Sequence, residues 1–144
     1  MYLIDTNVIS EARKNTKANP GVTRFFKEVV AADEAVYLSS VSVGELRRGV
    51  ELIRYRGDID QALMLETWLS VVLEQFEGYI LTFDADAAQL WGRLRVPHPE
   101  HELDKQIAAI ALINDLTLVT RNLADFKGTG VRLKNPFFPS SPDA

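Results

Sequence analysis

The first seven residues, Met1-Tyr2-Leu3-Ile4-Asp5-Thr6-Asn7, indicate the fold class of this chain. A short apolar run that leads into polar residues is typical of a buried strand, here residues 2–5, and the pattern beyond it predicts a helix from Asn7 to about Arg13. Asp5 then lies where a strand ends and a helix begins, which is where open α/β sheets bind their ligands. Asp5 is therefore the first candidate for a functional residue.

The alternation of a short apolar strand with a longer helical segment continues along the chain. Further strands are predicted at residues 36–38, 80–82, 116–120 and 131–133, and further helices at residues 22–30, 42–54, 59–76, 84–95 and 103–114. The helix at 103–114 is apolar on nearly every side, which predicts that it packs against the middle of the sheet. This order predicts an α/β fold, a three-layer α/β/α sandwich around a central, mainly parallel five-stranded sheet.

The composition fits one globular domain and excludes several classes of chemistry. With 144 residues and 47% hydrophobic residues, the chain can form one core, which we assign to residues 1–137, followed by an irregular tail of residues 138–144. The absence of cysteine excludes thiol catalysis, disulfides and thiolate metal ligands. A net charge of −4 argues against avid non-specific binding to nucleic acid but leaves room for a local basic patch.

No segment of the sequence predicts contact with a membrane. The longest apolar stretches are interrupted well short of a membrane span, and the N-terminus lacks the basic segment and apolar region of a secretory signal. We therefore expect a cytoplasmic location.

Acidic or amide residues recur at positions that resemble that of Asp5. Glu45 follows the second strand, Asp104 opens the apolar helix, and Asn122 and Asp125 follow the fourth strand. Because such positions gather at one edge of a parallel sheet, these side chains would form a site for a hard cation. Oxygen ligands without cysteine or a well-placed histidine pair select Mg²⁺ or Mn²⁺. Such an ion activates water and clamps phosphate oxygens, so the natural reaction is phosphodiester hydrolysis.

The acidic residues that open helices could instead be helix caps. Asp5 could cap the first helix, although Thr6 and Asn7 could do so equally and leave Asp5 available for a ligand. Asp104 could cap its own helix, but that helix is too apolar to be exposed, so its carboxylate is expected to face a pocket. Small residues on the same helix face would leave room for a ligand beside the acid: Ala108 and Ala111.

Glu45 has the strongest structural alternative. The segment Ser42-Val43-Gly44-Glu45 has the form of a capping box, in which Glu45 reaches back to the start of its helix. Arg48, three residues further on, could also pair with Glu45. For Glu45 taken alone, the structural interpretation is the stronger one.

The polar residues after the fourth strand and in the preceding loop are also open to two interpretations. Asn122 and Asp125 could be turn residues, as Asn and Asp often are, and the Thr120 hydroxyl could orient a water or bond a carboxylate. His98 and His101 flank Pro99-Glu100 in a predicted loop, where histidines are more often solvated than bound to a metal. We therefore expect no metal ligand among the histidines.

Two further groups of side chains predict interactions with partners. Arginines near Glu45 and Asn122 are candidates for binding RNA phosphates: Arg47, Arg48 and Arg121. Large apolar residues exceed what one sheet of this size would cover and predict a homodimer interface: Trp68, Leu69, Val72, Phe76 and Trp91.

Four segments, in this order along the chain, resemble a PIN domain, and most closely the VapC/FitB type of toxin from toxin–antitoxin pairs. They are Asp5–Ser10, Ser42–Gly49, the helix at Asp104, and Thr120–Phe126, and the resemblance extends from Met1 to about Phe137. It implies a Mg²⁺- or Mn²⁺-dependent endoribonuclease. The three acidic positions of the family then fall on Asp5, Glu45 and Asp104, with Asp5 and Asp104 as metal ligands.

The fourth acidic position of the family is the one departure. Some members carry Asp in a Thr-Arg-Asp sequence, whereas this chain has Asn122 after Thr120-Arg121. An amide oxygen binds Mg²⁺ more weakly than a carboxylate does, so the site could hold one metal ion or two. Asp125 could take the place of the missing carboxylate, and the sequence leaves the choice between Asn122 and Asp125 open.

The resemblance also implies an antitoxin, similar to VapB, that silences the nuclease in the cell. The acidic site predicts that this partner inserts a basic residue from an amphipathic segment, and that DNA is bound only through the partner. Two alternatives stay open at this point. One is a non-enzymatic signalling module resembling a receiver domain, although the first strand ends in one Asp rather than an acidic pair. The other is a catalytically weakened PIN scaffold, for which Asn122 is the argument.

Overall fold

The computed structural model describes residues 1–138 and contains one sheet of five parallel strands. The order across the sheet is β3-β2-β1-β4-β5, so β1 is central. The fifth strand begins later than predicted, because Leu133 rather than Val131 is the residue that pairs with Leu118 of β4. The strands are β1 (Tyr2–Ile4), β2 (Val36–Ser39), β3 (Ile80–Leu81), β4 (Thr117–Val119) and β5 (Leu133–Lys134).

Six α-helices connect and cover the strands: α1 (Thr6–Ala12), α2 (Pro20–Ala31), α3 (Ser40–Tyr55), α4 (Ile59–Gln75), α5 (Ala85–Leu94) and α6 (Glu102–Ile113). Short 3₁₀ helices lie at Asn15–Lys17 and Leu123–Phe126. Helix α2 begins at Pro20, earlier than predicted, because Asn19 caps it by accepting a hydrogen bond from Gly21 N and proline suits a first helical turn. None of the helices in this part of the chain is long and apolar enough to cross a membrane.

Both faces of the sheet are covered, which gives the predicted three layers. Successive strand residues point to opposite faces, so Ile4 packs among α1, α2, α3 and α4, whereas Leu3 packs among α5 and α6. In β4 the same alternation separates Val119 from Leu118. An all-parallel sheet that is apolar on both faces is the expected result for strands with no polar alternation. The predicted fold class is confirmed.

Helix α6 is the central helix of its layer, as its apolar sequence predicts. Its residues from Ile107 to Ala111 have no exposed surface. This burial contradicts one detail of the sequence interpretation. Ala108 and Ala111 pack into the core and leave no room for a ligand, because the helix face that carries Asp104 enters the protein interior within one turn.

The apolar residues predicted to form a dimer interface instead cover the core of the protein itself. Leu69 and Val72 are 1% and 3% exposed, and Trp68, Phe76 and Trp91 pack against the two core clusters. Helix α4 is apolar on more than one side, so its outer face keeps other apolar residues in solvent: Ile59, Leu63, Met64 and Val71.

The segment after β5 packs back onto the start of α2. Asn19 accepts a hydrogen bond from Phe138 N and donates one to Phe138 O. Gly21 permits this close approach, since a Cβ atom there would lie 2.1 Å from the carbonyl oxygen of Pro136. The predicted domain boundary after residue 137 falls in this segment, and residues 139–144 of the predicted tail lie outside the described residues.

Candidate active site

The carboxyl ends of β1 and β4 form the base of the candidate site. These strands are neighbours, but the chain continues from β1 to β2 on one side of the pair and from β4 to β5 on the other side. A crevice therefore opens between the two strand ends. Asp5 and Thr120 follow these strands directly, and Asp5 N donates a hydrogen bond to Val119 O at 2.9 Å. Asp5 and Thr120 are therefore the first two members of the predicted cluster of residues at the strand ends.

Asp5 is held in one orientation by three hydrogen bonds. Its Oδ1 accepts from Thr6 N at 2.8 Å, and its Oδ2 accepts from Thr120 Oγ1 at 2.8 Å and from Asn7 Nδ2 at 3.2 Å. The carboxylate is 3% exposed, and burial raises its pKa although all three hydrogen bonds lower it. Asp5 is thus also the cap of α1, and the possibility that Thr6 or Asn7 replaces it in that role is wrong.

Asn7 and Thr120 join the two strand ends around Asp5. Asn7 Nδ2 lies 3.3 Å from Thr120 Oγ1, and Asn7 Oδ1 accepts a hydrogen bond from Arg121 N at 3.1 Å. Thr120 is fully buried and also accepts a hydrogen bond from Asn122 N. Of the two roles that the sequence allows for the Thr120 hydroxyl, the structure has the bond to a carboxylate.

Glu45 lies on α3 and is linked to α1 rather than to its own helix start. The Thr6 hydroxyl donates to Glu45 Oε1 at 3.0 Å and lies 2.9 Å from the Ser42 hydroxyl. The predicted capping box is therefore wrong. Ser39 is the helix cap and accepts from Ser42 N, so α3 starts two residues before Ser42 and Glu45 lies inside the helix. Burial raises the pKa of Glu45, and the charge of Asp5 raises it further.

Asp104 lies in the first turn of α6, with its side chain 28% exposed. Burial and the neighbouring charges of Asp5, Asp125 and Glu45, in that order, raise its pKa from 3.8 to about 6. The cap position of α6 belongs to His101, so Asp104 is not the helix cap. The raised pKa shows that four carboxylates from separate elements share one electrostatic environment.

Asp125 and Asn122 differ in their surroundings. One carboxylate oxygen of Asp104, one of Asp125 and a ring nitrogen of His101 all lie within 4.8 Å of one another. Asn122 is exposed, and its backbone N–H bonds to Thr120 while its side chain does not cap the 3₁₀ helix that begins at Leu123. The cluster of acidic and histidine side chains therefore includes Asp125, and the choice between Asp125 and Asn122 as a metal ligand stays a prediction.

His101 is the residue that the sequence interpretation missed. The sequence predicts a solvated loop residue without oxygen partners, yet its Nδ1 lies 3.8 Å from Asp104 Oδ2 and 3.9 Å from Asp125 Oδ1. The available signal is the three-residue spacing between His101 and Asp104, which is the spacing of an N-cap residue and the N3 residue of a helix, whose side chains lie near each other.

The chemistry of these side chains fits a divalent cation. Among the described residues, no lysine or arginine forms an ion pair with any of the four carboxylates. Apart from His101, which lies beside Asp104 and Asp125, their repulsion is therefore relieved within the described residues only by protons or by a bound cation. Both Mg²⁺ and Mn²⁺ bind carboxylate oxygens, whereas an imidazole nitrogen suits the transition metal Mn²⁺ better than Mg²⁺. Asp104, Asp125 and His101 have ligand atoms within 4.8 Å of one another, and Asp5 and Glu45 add negative charge nearby.

The predicted RNA-binding arginines differ in their partners. Arg47 is paired with Glu51 at 3.3 Å and with Glu66 at 3.7 Å, which joins α3 to α4. Arg48 is exposed and has no ion pair within residues 1–138. Arg121 is exposed, and its guanidinium lies 4.8 Å from the centre of the Phe137 ring. Arg48 and Arg121, which follow Glu45 and Thr120 closely in sequence, are thus the two of the three whose charge is not paired with a carboxylate among the described residues.

An apolar groove lies away from the carboxylates. It has a volume of about 740 Å³ and runs between α1 and α2. A second groove of about 510 Å³ continues it toward the end of α4, and the two share Ala12, Phe26 and Val30.

The PIN-domain family model matches residues 2–130, which is most of the chain. The protein therefore belongs to the PIN-domain family, as the motifs in the sequence predict. It is 33% identical over 142 residues to Toxin FitB of Neisseria gonorrhoeae, a match that covers 95% of this chain and 99% of the relative. It is 28% identical over 145 residues to VapC ribonuclease Y4jK of Sinorhizobium fredii, which covers 97% and 100% of the two chains.

The fold is also shared with a solved structure of FitAB bound to an IR36 DNA fragment. That comparison has a TM-score of 0.81 at 30% sequence identity and covers 99% of this chain and 99% of the other. The match extends over all six helices and the whole sheet, so no segment of the described fold lies outside the likeness.

Proposed function

We propose that this protein is a metal-dependent endoribonuclease and the toxin component of a toxin–antitoxin pair. The observation that carries the proposal is the group of four carboxylates at one sheet edge, whose charges are balanced by no lysine or arginine among the described residues. The similarity to a toxin and to a VapC ribonuclease supports this choice within the PIN-domain family.

The metal ligands in this proposal are Asp5, Asp104 and Asp125. Asp125 takes the fourth acidic position in preference to Asn122, because its carboxylate lies in the cluster with Asp104 while Asn122 is exposed. With Asp125 in the fourth position, the chain has four carboxylates without Asn122. Asn122 then gives no reason to expect a catalytically weakened scaffold. We assign Mg²⁺ or Mn²⁺ as the cofactor from the oxygen ligands.

The divalent cation supplies charge neutralisation at the scissile phosphate and lowers the pKa of a water molecule. Thr6, Asn7 and Thr120 orient Asp5 through their hydrogen bonds, so its carboxylate needs no rearrangement when substrate binds. Glu45 Oε1 accepts from the Thr6 hydroxyl, and its raised pKa suits Glu45 Oε2 to accept a proton from the attacking water.

The substrate in this proposal is single-stranded RNA in a loop, since unstacked bases are what proteins usually recognise in RNA. Arg48 and Arg121 have exposed charge beside the acidic site and would neutralise flanking phosphates. Arg47 is a weaker candidate because two glutamates already pair with it. In this proposal the protein meets its RNA substrate in the cytoplasm, the location that we expect from the sequence.

The partner in this proposal is an antitoxin with a basic amphipathic segment. A basic side chain of that segment would balance the negative charge of the carboxylates. The apolar residues of the same segment would dock in the two continuous grooves along α1 and α2. DNA would be bound through the partner, because this chain has a net charge of −4. A homodimer stays part of the proposal, with the outer face of α4 as the interface.

The test is RNA cleavage by the purified chain without its partner. A structured RNA with single-stranded loops should be cut in Mg²⁺ or Mn²⁺, and excess EDTA should abolish the cleavage, which added Mn²⁺ should restore. A matched control is the same RNA with a 2′-deoxyribose substitution across its loops, which separates RNA-specific from general phosphodiester hydrolysis. Cleavage that continues in EDTA would refute the metal-dependent mechanism, and labelling by acetyl phosphate without cleavage would favour a receiver-like module.

A further inference from the structure

His101 lies at the solvent side of the acidic site, between two carboxylates from different elements. Its Nδ1 is 3.8 Å from Asp104 Oδ2 and 3.9 Å from Asp125 Oδ1, and the side chain is 50% exposed. Ligands of one octahedral ion with bonds of about 2.1 Å lie about 3–4 Å apart. The spacing of these three side chains is therefore close to what one ion requires.

The loop that carries His101 is held against the helices on both sides. Lys105 is buried, and its ammonium donates to the carbonyl oxygen of His98. Trp91 Nε1 donates to Glu102 O at 3.0 Å, and Arg95 Nε donates to Pro99 O at 3.4 Å. The backbone on either side of His101 is consequently anchored at the start of α6, with the imidazole Nδ1 3.8 Å from Asp104 Oδ2.

His98, three residues earlier in the same loop, is the natural comparison. Its side chain is 78% exposed, and within the described part of the chain its one acidic neighbour is Glu100, at 3.8 Å. Glu100 is itself exposed and belongs to the same loop. His98 therefore shares the loop and the residue type with His101 but does not contact the carboxylates of the site.

We propose that His101 is a nitrogen ligand of the divalent cation held by Asp104 and Asp125, and that it makes the site prefer Mn²⁺ over Mg²⁺. This inference rests on the proposed function, because it takes the metal site as given. Imidazole suits transition metals, whereas Mg²⁺ selects oxygen ligands and keeps its waters. A single nitrogen beside two carboxylates thus raises the affinity for Mn²⁺ with little effect on Mg²⁺.

The experiment measures metal coordination directly on the full-length chain. Mn²⁺ bound to the wild-type protein should show the ¹⁴N modulation of a coordinated imidazole in electron spin echo spectra, and His101→Gln should lose it. The same substitution should weaken Mn²⁺ binding at least about tenfold, since even residues that only support a ligand are worth that much, and should change Mg²⁺ affinity far less. His98→Gln is the matched control and should behave as wild type in both measurements.

Each other outcome has a definite meaning. Wild-type protein that binds Mn²⁺ without ¹⁴N modulation overturns the inference, even if His101→Gln does not fold. Tighter metal binding by His101→Gln also overturns it, because the imidazole would then be a counter-ion that the metal displaces. Asp104→Asn separates this failure from that of the proposed function: if Asp104→Asn binds Mn²⁺ as well as wild type does, or wild type binds none, the proposed metal site itself is wrong.

Discussion

The acidic site has two halves that hold their carboxylates in opposite ways. At the junction of β1 and β4, Asp5 is 3% exposed and accepts three hydrogen bonds. At the start of α6, Asp104 is 28% exposed, and its one ion-pair neighbour among the described residues is His101. Burial raises the pKa of both; hydrogen bonds offset part of this rise for Asp5, whereas neighbouring carboxylates add to it for Asp104. The comparison indicates that Asp5 is fixed by the scaffold, whereas Asp104 retains a repulsion that a cation would relieve.

The sharpest test of this difference is the same substitution in both halves. Asp5→Asn and Asp104→Asn should each reduce metal-dependent RNA cleavage on the order of 10²–10³-fold, as expected for loss of a central electrostatic group. Their effects on stability should have opposite signs. Asp104→Asn removes repulsion and should raise the unfolding free energy by about 1–2 kcal/mol at pH 8, after allowance for its partial exposure.

Asp5→Asn, by contrast, should lower the unfolding free energy by about 1–3 kcal/mol, because one amide group cannot accept all three hydrogen bonds. Urea unfolding in EDTA measures both changes, and Glu102→Gln, on the same turn of α6 but exposed, is the control for charge removal alone. If the two substitutions shift stability in the same direction, the distinction between the halves is wrong.

The fourth carboxylate is tested by comparing Asp125 with Asn122. Asp125→Asn should reduce cleavage on the order of 10²-fold, because its carboxylate lies in the cluster with Asp104 and His101. Asn122→Ala should leave cleavage close to wild type, since the contact of Asn122 with the site is a backbone N–H that alanine keeps. Initial rates on one RNA, with Mn²⁺ held constant, give both values. The reverse order of effects would return Asn122 to the fourth position.

The hydrogen bonds that orient Asp5 are tested by removing one of their donors, the Thr120 hydroxyl. Thr120→Val keeps the shape of this fully buried residue but removes the hydroxyl that donates to Asp5 and accepts from Asn122 N. We expect a loss of about 1–3 kcal/mol in unfolding free energy and about 10–100-fold in activity. Thr117→Val on β4, the strand that leads to Thr120, is the control, because the hydroxyl of Thr117 accepts a hydrogen bond from Arg132 Nε at 3.4 Å and none of its hydrogen bonds among the described residues reaches Asp5. Equal effects of the two substitutions would contradict an orienting role for Thr120.

The smallest effect is the pH dependence of stability without metal. Asp104 has a pKa of about 6 in the folded protein and 3.8 ordinarily, so between these values the folded state binds more protons than the unfolded state. Its contribution is therefore favourable at low pH and is lost as the pH rises from about 4 to about 6. The difference in unfolding free energy between wild type and Asp104→Asn should be near zero at pH 4 and about 1–2 kcal/mol at pH 8. A difference that does not change with pH would show that the carboxylate feels no such repulsion.

Much of the fold could be predicted from the sequence because its signals are local. Apolar strands such as Tyr2–Ile4, and the apolar helix at Glu102–Ile113, can be recognised from periodicity within a few residues. The burial of Leu69 and Val72 could not be predicted in the same way, since it depends on how much surface the remaining helices leave uncovered. For that reason Leu69 and Val72, which the sequence interpretation assigns to a dimer interface, belong to the core, while Trp68, Phe76 and Trp91 pack against it and stay partly exposed.

The candidate site was predictable in part, for the same physical reason. Asp5, Glu45 and Asp104 lie after strand ends or at helix starts, and the topology brings such positions together. The partner of Glu45 was not predictable, because the local capping box competes with a hydroxyl on α1, and Thr6 is 39 residues away in sequence. The choice between Asn122 and Asp125 likewise depends on which side chain the 3₁₀ helix turns toward Asp104.

The sequence by itself determined the layers, the parallel sheet, and the residues whose oxygen atoms could bind a cation, because periodicity and residue type act over short range. Only the tertiary structure decided which of the mutually repelling carboxylates accepts several hydrogen bonds, as Asp5 does, and which accepts none among the described residues, as Asp104 does. That difference between Asp5 and Asp104, and the presence of His101 beside Asp104 and Asp125, arise from contacts between distant segments. Electrostatic energies depend on distance and burial, and neither is contained in the order of residues along a chain.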